Sequence, residues 1–233
     1  MKNIFTKILN FIFSLLFPKR CVSCGKYGQF LCFDCAGEIE WVKTSLCPYC
    51  GKISKTGAIC DKCKVRERSS LNSVIIASHY DFGPIKNLIF ALKYDRISEV
   101  SDNLAEIILQ RANDFSWSKY IITYVPISKS RQRTRGFNQS ELMAKYISDK
   151  LDLPFVHLLA RTGNHPPQVG LSAEMRKKNV DNAFAFVGAT LERANVIIID
   201  DVVTTNATLN ECAKVLKANG AKKVIGMVVA SNK

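Results

Sequence analysis

The sequence contains few residues that carry acid–base chemistry at neutral pH. Only three histidines occur among 233 residues, and none has a sequence neighbour that suggests a catalytic triad. His79 and His157 fall in predicted strands, where packing is their commoner role, and His165 falls in a proline-rich loop. No residue therefore stands out as a general base for a chemical step.

The chain also lacks a hydrophobic run long enough to span a membrane. Residues 8–17 are mostly apolar, but a membrane helix needs about 20 residues, and Pro18-Lys19-Arg20 replaces the small residues of a signal cleavage site. Four polar residues share one helical face: Asn3, Lys7, Asn10 and Ser14. This predicts an amphipathic leader helix over residues 1–18 that packs on this protein or a partner. The missing signal indicates a cytoplasmic protein, with a peripheral position at the inner face of the membrane as the alternative.

Cysteine, in contrast, is concentrated in one part of the chain. Eight cysteines form four C-x2-C pairs, namely Cys21/Cys24, Cys32/Cys35, Cys47/Cys50 and Cys60/Cys63. Each pair can occupy two corners of a metal tetrahedron, so residues 19–68 are predicted to bind two structural Zn²⁺ ions. A disulfide framework is the alternative, which the regular spacing and the missing signal disfavour. Joining of neighbouring pairs is slightly favoured over a cross-braced arrangement, and Cys212 is expected to be a buried thiol.

Basic residues outnumber acidic ones by 33 to 20, which gives a formal net charge of +13. Eight zinc-bound thiolates and two divalent ions together contribute −4, so the metal-loaded chain carries about +9. Such a charge favours a polyanionic partner, although a solvated basic surface fits equally well.

Residues 69–233 alternate between strand-like and helix-like segments. The predicted strands are Leu71–Tyr80, Tyr120–Val125, Phe155–Leu159, Phe184–Val187, Val196–Ile199 and Val224–Ala230. The predicted helices are Pro84–Tyr94, Glu99–Asn113, Asn138–Leu151, Ala173–Val180 and one that ends near Ala218. This alternation predicts an α/β domain with a mainly parallel sheet and flanking helices.

The sharpest chemical signal follows the apolar strand Val196–Ile199. Asp200 and Asp201 end this strand, and a hydroxyl-rich turn, 204–208, then opens a helix. Ligands bind at the carboxyl ends of strands in open α/β sheets, and a helix N-terminus attracts phosphate. Carboxylates suit sugar hydroxyls or Mg²⁺, so the loop predicts a site for a phosphorylated ribose.

A second candidate is a row of cations at every second position: Lys129, Arg131, Arg133 and Arg135. In an extended segment, alternate side chains point the same way, so all four are expected to share one face. A pyrophosphate clamp, a contact with a nucleic-acid backbone and a solvated loop all fit this pattern.

The 196–209 stretch resembles the phosphoribosyl-pyrophosphate loop of type I phosphoribosyltransferases, and nearly the whole chain resembles the ComF competence family. Further matches are Arg135-Gly136-Phe137-Asn138-Gln139 and the series Gln168, Leu171-Ser172, Arg176, Asn179, Ala183-Phe184. The resemblance implies a type I phosphoribosyltransferase-like domain after a small double zinc-ribbon-like domain. It also implies that phosphoribosyl pyrophosphate binds with Mg²⁺.

By the same resemblance, Asp200 and Asp201 would contact the ribose hydroxyls, and the segment Val125–Gly136 would face the pyrophosphate. The 5′-phosphate would lie against Thr204, Thr205, Asn206, Ala207 and Thr208. Asn206 stands where the family usually has glycine. Asparagine tolerates left-handed geometry, but its side chain is expected in space that the phosphate needs. We therefore expect Asn206→Gly to strengthen binding.

The resemblance implies a ComF-type protein that handles single-stranded DNA during DNA uptake and natural transformation. Single-stranded DNA and phosphoribosyl pyrophosphate are the expected partners. The resemblance leaves open two further interactions, one with a DNA-uptake helicase or other competence protein and one with a second copy of the chain in a homodimer. The alternative is an active phosphoribosyltransferase, a pentosyltransferase that moves ribose 5-phosphate to an unidentified acceptor. A purely structural adaptor is disfavoured, because it needs neither the Asp200-Asp201 pair nor the threonine-rich loop.

Overall fold

The computed structural model describes residues 18–81, 83–113, 115–162 and 182–232. The predicted leader helix lies outside the described residues except for Pro18. The predicted helix 173–180, His165 and the matches between Gln168 and Asn179 also lie outside them. In the part of the chain that is described, no helix has the length and apolar character needed to cross a membrane.

The described strands are β1 (Ser73–His79), β2 (Tyr120–Tyr124), β3 (Leu159–Arg161), β4 (Phe184–Phe186), β5 (Asn195–Val203) and β6 (Lys223–Ser231). The described α-helices are α1 (Phe33–Gly37), α2 (Asp61–Arg66), α3 (Gly83–Lys93), α4 (Val100–Arg111), α5 (Lys129–Arg135), α6 (Gln139–Leu151) and α7 (Ala207–Ala218). A short 3₁₀ turn, Lys55–Gly57, lies between α1 and α2.

Four strands form one parallel sheet in the order β1-β6-β5-β2, and β3 pairs with β4 in a separate antiparallel ribbon. The predicted α/β architecture with a mainly parallel sheet and flanking helices is therefore confirmed. Since all four strands run the same way, their carboxyl ends meet at one edge, where α/β proteins bind ligands.

Both faces of this sheet are covered, which explains why its central strands are almost entirely apolar. Ile197 and Ile199 of β5 pack with α3, α4 and α6 on one face. Val196 and Ile198 pack with α7 on the other face, together with residues of the cysteine-rich region such as Ile59. The cysteine-rich region thus helps to cover the sheet.

A glycine marks where the cysteine-rich region meets β1. Gly57 has φ of +68°, and a Cβ at this position would lie 2.0 Å from the backbone oxygen of Val74. Beside it, Ala58 forms an antiparallel bridge with Ser73, and the amide of Ile59 donates to the oxygen of Asn72 over 3.1 Å. Only glycine permits so close an approach with this backbone conformation.

Two predicted strands differ from the observed ones. β5 continues four residues beyond the predicted end at Ile199, because its pairing with β6 extends to Val203–Ser231. The predicted strand Phe155–Leu159 is wrong: Phe155 makes only one bridge, to Ile122, and the strand itself begins at Leu159. Antiparallel pairing with β4 determines where β3 lies, which the local pattern did not show.

Candidate functional site

The cysteines form two groups of four, and within each group the sulfur atoms lie within 4.8 Å of one another. The first cysteine cluster is Cys21, Cys24, Cys32 and Cys35, and the second cysteine cluster is Cys47, Cys50, Cys60 and Cys63. The Sγ atoms of Cys24 and Cys32 are 3.5 Å apart, and those of Cys50 and Cys60 are 3.7 Å apart. A zinc tetrahedron with Zn–S bonds of about 2.3 Å has edges of about 3.8 Å, so both clusters fit zinc. The favoured joining of neighbouring pairs is confirmed.

In each cluster, backbone amides lower the pKa of one cysteine. Burial raises the pKa of Cys21, but hydrogen bonds from the amides of Cys32 and Cys24 outweigh it and lower that pKa to about 6. Amides of Cys60 and Cys50 likewise outweigh burial and lower the pKa of Cys47 to about 6. These amides stabilise the thiolate, which is the form that binds metal.

Asp200 and Asp201 lie at the carboxyl end of β5, and different helices hold their side chains. Asp200 Oδ1 accepts hydrogen bonds from Ser140 Oγ of α6 and from the amide of Asp201, both over 2.9 Å. Asp201 forms an ion pair with Lys93 at the end of α3. The two carboxylates are therefore fixed in place before any ligand binds.

This arrangement shifts the pKa of Asp200. Burial raises the pKa of Asp200, the charge of Asp201 adds to the effect, and together they bring it to about 7. The hydrogen bond from Ser140 and the charge of Lys93 oppose the shift without cancelling it. Two adjacent carboxylates, one buried and one half-buried, at the end of a central strand are costly to the fold, which is typical of a functional site.

The predicted phosphate loop follows directly. Thr204, Thr205 and Asn206 make the turn, and α7 begins at Ala207. The turn and the start of α7 enclose a hollow of about 20 Å³, which Thr208 and Asp200 also line. The positive end of a 12-residue helix faces this hollow, so the hollow favours binding of an anion.

Asn206 adopts the left-handed conformation that was predicted for it, with φ of 60° and ψ of 3°. Its side chain does not behave as expected, however. Asn206 Nδ2 donates to the backbone oxygen of Pro48 over 3.1 Å, which turns the amide group toward the second cysteine cluster. The sequence did not show that this cluster packs behind the loop. The assumption that the Asn206 side chain points toward the phosphate position was therefore wrong.

The cation row is also arranged differently from the prediction. Residues 129–135 form helix α5, which Ser128 caps by accepting from the amide of Arg131 and which ends at left-handed Gly136. Residues two apart on a helix are rotated by about 200°, so the four cations do not share one face. Arg131 and Arg135 line the pocket beside the two aspartates, whereas Lys129 and Arg133 are exposed and do not line it.

The complete pocket has a volume of about 380 Å³ at the carboxyl edge of the sheet. We call it the carboxylate pocket. It brings together predicted residues from two parts of the chain: Asp200, Asp201, Thr204 and Thr208 with Arg131 and Arg135. Thr205, Asn206 and Ala207 contribute to the small hollow rather than to the larger pocket.

Three further residues belong to this site, and the sequence analysis did not identify them. Lys93, the last residue of α3, pairs with Asp201. Arg161 lines the pocket, and its buried Nε has no hydrogen-bond partner among the described residues. Burial lowers the pKa of Arg161, and the charge of Arg131 adds to this, so an anion between the two would be stabilised. Ser140, the third, follows the Arg135–Gln139 motif, which was the available signal.

Comparisons with known sequences identify similar proteins over most of the chain. A family model described as "Double zinc ribbon domain" matches residues 12–64. "DNA utilization protein YhgH" of Escherichia coli (strain K12) is 32% identical over 208 residues, which cover 86% of this chain and 88% of that protein. "Competence protein F" of Haemophilus influenzae is 29% identical over 219 residues, which cover 85% of this chain and 95% of that protein.

Among solved structures, the glutamine phosphoribosylpyrophosphate amidotransferase of B. subtilis, complexed with ADP and GMP, aligns with a TM-score of 0.38. The two chains are 18% identical, and the alignment covers 54% of this chain but only 25% of that one. At this similarity, the carboxylate pocket has to be interpreted from its own geometry.

Proposed function

Because the chain belongs to the ComF family of competence and DNA utilization proteins, we propose that it handles single-stranded DNA during DNA uptake and that its carboxylate pocket binds phosphoribosyl pyrophosphate with Mg²⁺. The observation that carries the proposal for the pocket is its charge pattern. Two adjacent carboxylates stand beside a helix N-terminus, and Arg131, Arg135 and Arg161 line the same space. A sugar diol flanked by a phosphate and a pyrophosphate has the complementary pattern.

Each part of this ligand has matching donors or acceptors. The carboxylates of Asp200 and Asp201 accept hydrogen bonds from the two ribose hydroxyls, while the turn 204–208 donates to the 5′-phosphate. The guanidinium groups of Arg131, Arg135 and Arg161 bind the pyrophosphate. Lys93 forms an ion pair with Asp201 and orients its carboxylate, so this pair determines how the diol lies.

The donor set also fits Mg²⁺, which proteins usually bind through one or two carboxylates together with substrate phosphates. Asp200 and Asp201 are the residues that would hold it, and the ion would neutralise charge on the pyrophosphate. Elsewhere in the described residues, every group of three or more metal-binding side chains consists of cysteine. The ion is therefore expected to arrive with the ligand.

Calorimetry tests the ligand. Phosphoribosyl pyrophosphate with Mg²⁺ is expected to bind the wild-type protein, and Arg161→Gln should weaken it roughly tenfold or more by removing a charge-assisted hydrogen bond. Arg193→Gln is the matched control, because Arg193 is exposed in the turn before β5, at the opposite edge of the sheet. No heat of binding with wild type, or equal losses in both variants, would rule out the proposed pocket.

The family names and the charge support the DNA part of the proposal. One relative is named a competence protein and another a DNA utilization protein, and this chain carries a formal charge of +13 before metal loading. Backbone neutralisation carries no base information, so binding should be sequence-independent. Affinity should fall with salt, with a log–log slope of about 0.7 for each phosphate contact. Anisotropy of a labelled single strand between 50 and 200 mM salt, the range over which such contacts weaken, measures this slope.

The alternative function is transfer of ribose 5-phosphate to an acceptor with release of pyrophosphate. The position of Asp200 and Asp201 in the pocket favours it, because a carboxylate there would stabilise positive charge that develops at the anomeric carbon. A pyrophosphate-release assay with a panel of bases, amines and single-stranded DNA distinguishes transfer from binding alone.

We also propose the domain boundaries 1–18, 19–68 and 69–233 and a cytoplasmic location. Helix α2 ends at Arg66 and β1 begins at Ser73, which supports a boundary between them. Limited proteolysis followed by mass spectrometry tests this boundary, and cell fractionation tests the location.

A further inference from the structure

The outer face of α3 and the turn that follows it carry aromatic rings, where a surface helix normally presents polar side chains. Phe90 and Tyr94, one helical turn apart, are 53% and 59% exposed. Their ring centroids lie 4.9 Å apart, with the planes inclined by 37°. The buried residues of the same helix, such as Leu88 and Leu92, already supply its contacts with the core. The exposed pair, which we call the aromatic surface, is therefore not needed for that packing.

The aromatic surface adjoins the carboxylate pocket. Tyr94 lines that pocket together with Lys93, Arg131 and Arg135. The surroundings are basic along the helix as well, since α3 carries Lys86 and Lys93 and no acidic residue. Lys86 is exposed one turn before Phe90, and exposed Asp95 and Arg96 follow Tyr94.

Given that the protein handles single-stranded DNA, as proposed above, we propose that the aromatic surface stacks the bases of that strand while Lys86 and Arg96 contact its phosphates. Aromatic rings interleaved with cations are the usual means of binding single strands, because every base offers a face for stacking. Two rings are too small for a stable protein interface, which buries about 800 Å² on each partner.

The experiment compares an oligothymidylate with an abasic phosphodiester of the same length. Both present equal charge, so a difference in affinity reports contacts to the bases, and the ring variants below assign those contacts to stacking. Wild type should prefer the oligothymidylate roughly tenfold, and the double variant Phe90→Leu/Tyr94→Leu should lose this preference while still binding both strands. Leucine retains helix propensity and apolar area, so the variant is expected to fold.

Matched variants separate rings from charges. Phe90→Tyr/Tyr94→Phe keeps both rings and should keep the preference. Lys86→Gln/Arg96→Gln should weaken the binding of both strands equally. It should also reduce the log–log slope of affinity against salt by about 0.7 for each lost contact.

Three outcomes would overturn the inference and leave the DNA function intact: equal affinity of wild type for the two strands, a preference that persists in Phe90→Leu/Tyr94→Leu, or a changed oligomeric state in that variant with the preference unchanged. No binding of wild type to either strand at low salt would instead contradict the DNA function itself.

Discussion

The side-chain amide of Asn206 donates a hydrogen bond to the backbone carbonyl of Pro48 over 3.1 Å. Pro48 lies between Cys47 and Cys50, so the acceptor belongs to a turn that carries two metal ligands. The donor sits at the start of α7, in the loop that lines the predicted phosphate position. One hydrogen bond therefore joins the second cysteine cluster to the phosphate loop.

Asn206→Gly should destabilise the protein by about 0.5–1.5 kcal/mol, because it removes this bond but keeps a residue that tolerates φ of 60°. Urea unfolding measures the change. Asn206→Ala is the comparison and should cost roughly 1 kcal/mol more, since alanine is strained in the left-handed region. We expect no gain in affinity for phosphoribosyl pyrophosphate in Asn206→Gly. Tighter binding would show that the asparagine does crowd the phosphate.

Asp200→Asn should stabilise the protein at neutral pH. Burial and the charge of Asp201 raise the pKa of Asp200 from 3.8 to about 7, so the folded state holds a proton that the unfolded chain has released. The contribution of the Asp200 carboxyl group to the free energy of unfolding is therefore fully present below about pH 4, and it is lost as the pH rises to 7. The variant has no such loss, so its advantage should grow over this window to about 1–3 kcal/mol and then stay level.

Thermal unfolding of Asp200→Asn at several pH values measures this advantage, with Asp149→Asn, at an exposed position of α6, as the control. A pH profile that the Asp200 substitution leaves unchanged would contradict the shifted pKa. The same substitution should weaken ligand binding, because the amide offers a poorer acceptor to a ribose hydroxyl.

The cations of α5 should separate into two functional pairs. Arg131→Gln/Arg135→Gln should weaken binding of phosphoribosyl pyrophosphate by tenfold or more, because both guanidinium groups line the pocket. Lys129→Gln/Arg133→Gln removes the same charge from the exposed positions and should leave this affinity nearly unchanged. Equal effects on calorimetric affinity would show that net charge, not position, controls binding.

Loss of the second zinc site should destabilise a larger part of the molecule than loss of the first. The wild-type chain is expected to hold two zinc ions, and serine at two cysteines of either cluster should remove one. Cys47 and Cys63 pack in the same apolar cluster as Leu209 and Val228, so loss of the second site should destabilise the α/β domain. Cys21 and Cys35 pack in a small cluster of their own, so loss of the first should stay local.

Metal analysis with domain-resolved hydrogen exchange tests this, using Cys24→Ser/Cys35→Ser against Cys47→Ser/Cys63→Ser. Fewer than two zinc ions in gently purified wild type would contradict the assignment of the clusters. Equal loss of protection in the α/β domain of both variants would contradict the asymmetry.

Local patterns predicted the parts of the site that are contiguous in sequence. The eight cysteines and the Asp200-Asp201 pair followed by threonines were recognisable because spacing alone brings their side chains together. Lys93 and Arg161 reach the pocket only through packing of distant elements, so no neighbouring residue indicated their role. Helix α5 is a different case, because the sequence contains its signals: Ser128 is a recognisable N-cap and Gly136 a recognisable C-terminal stop. The alternating cations favoured an extended segment instead.

The position of β6 has a consequence for the order in which the molecule is assembled. β6 is the last described strand along the chain, yet it lies between β1 and β5 at the centre of the sheet. During synthesis, β1 has no strand to pair with until β6 has left the ribosome, since β6 is its neighbour in the sheet. The cysteine clusters need only short loops and can take up metal much earlier. We therefore expect a nascent chain to bind zinc before the carboxylate pocket forms, so that the metal-loaded region provides a preformed surface for the completed sheet.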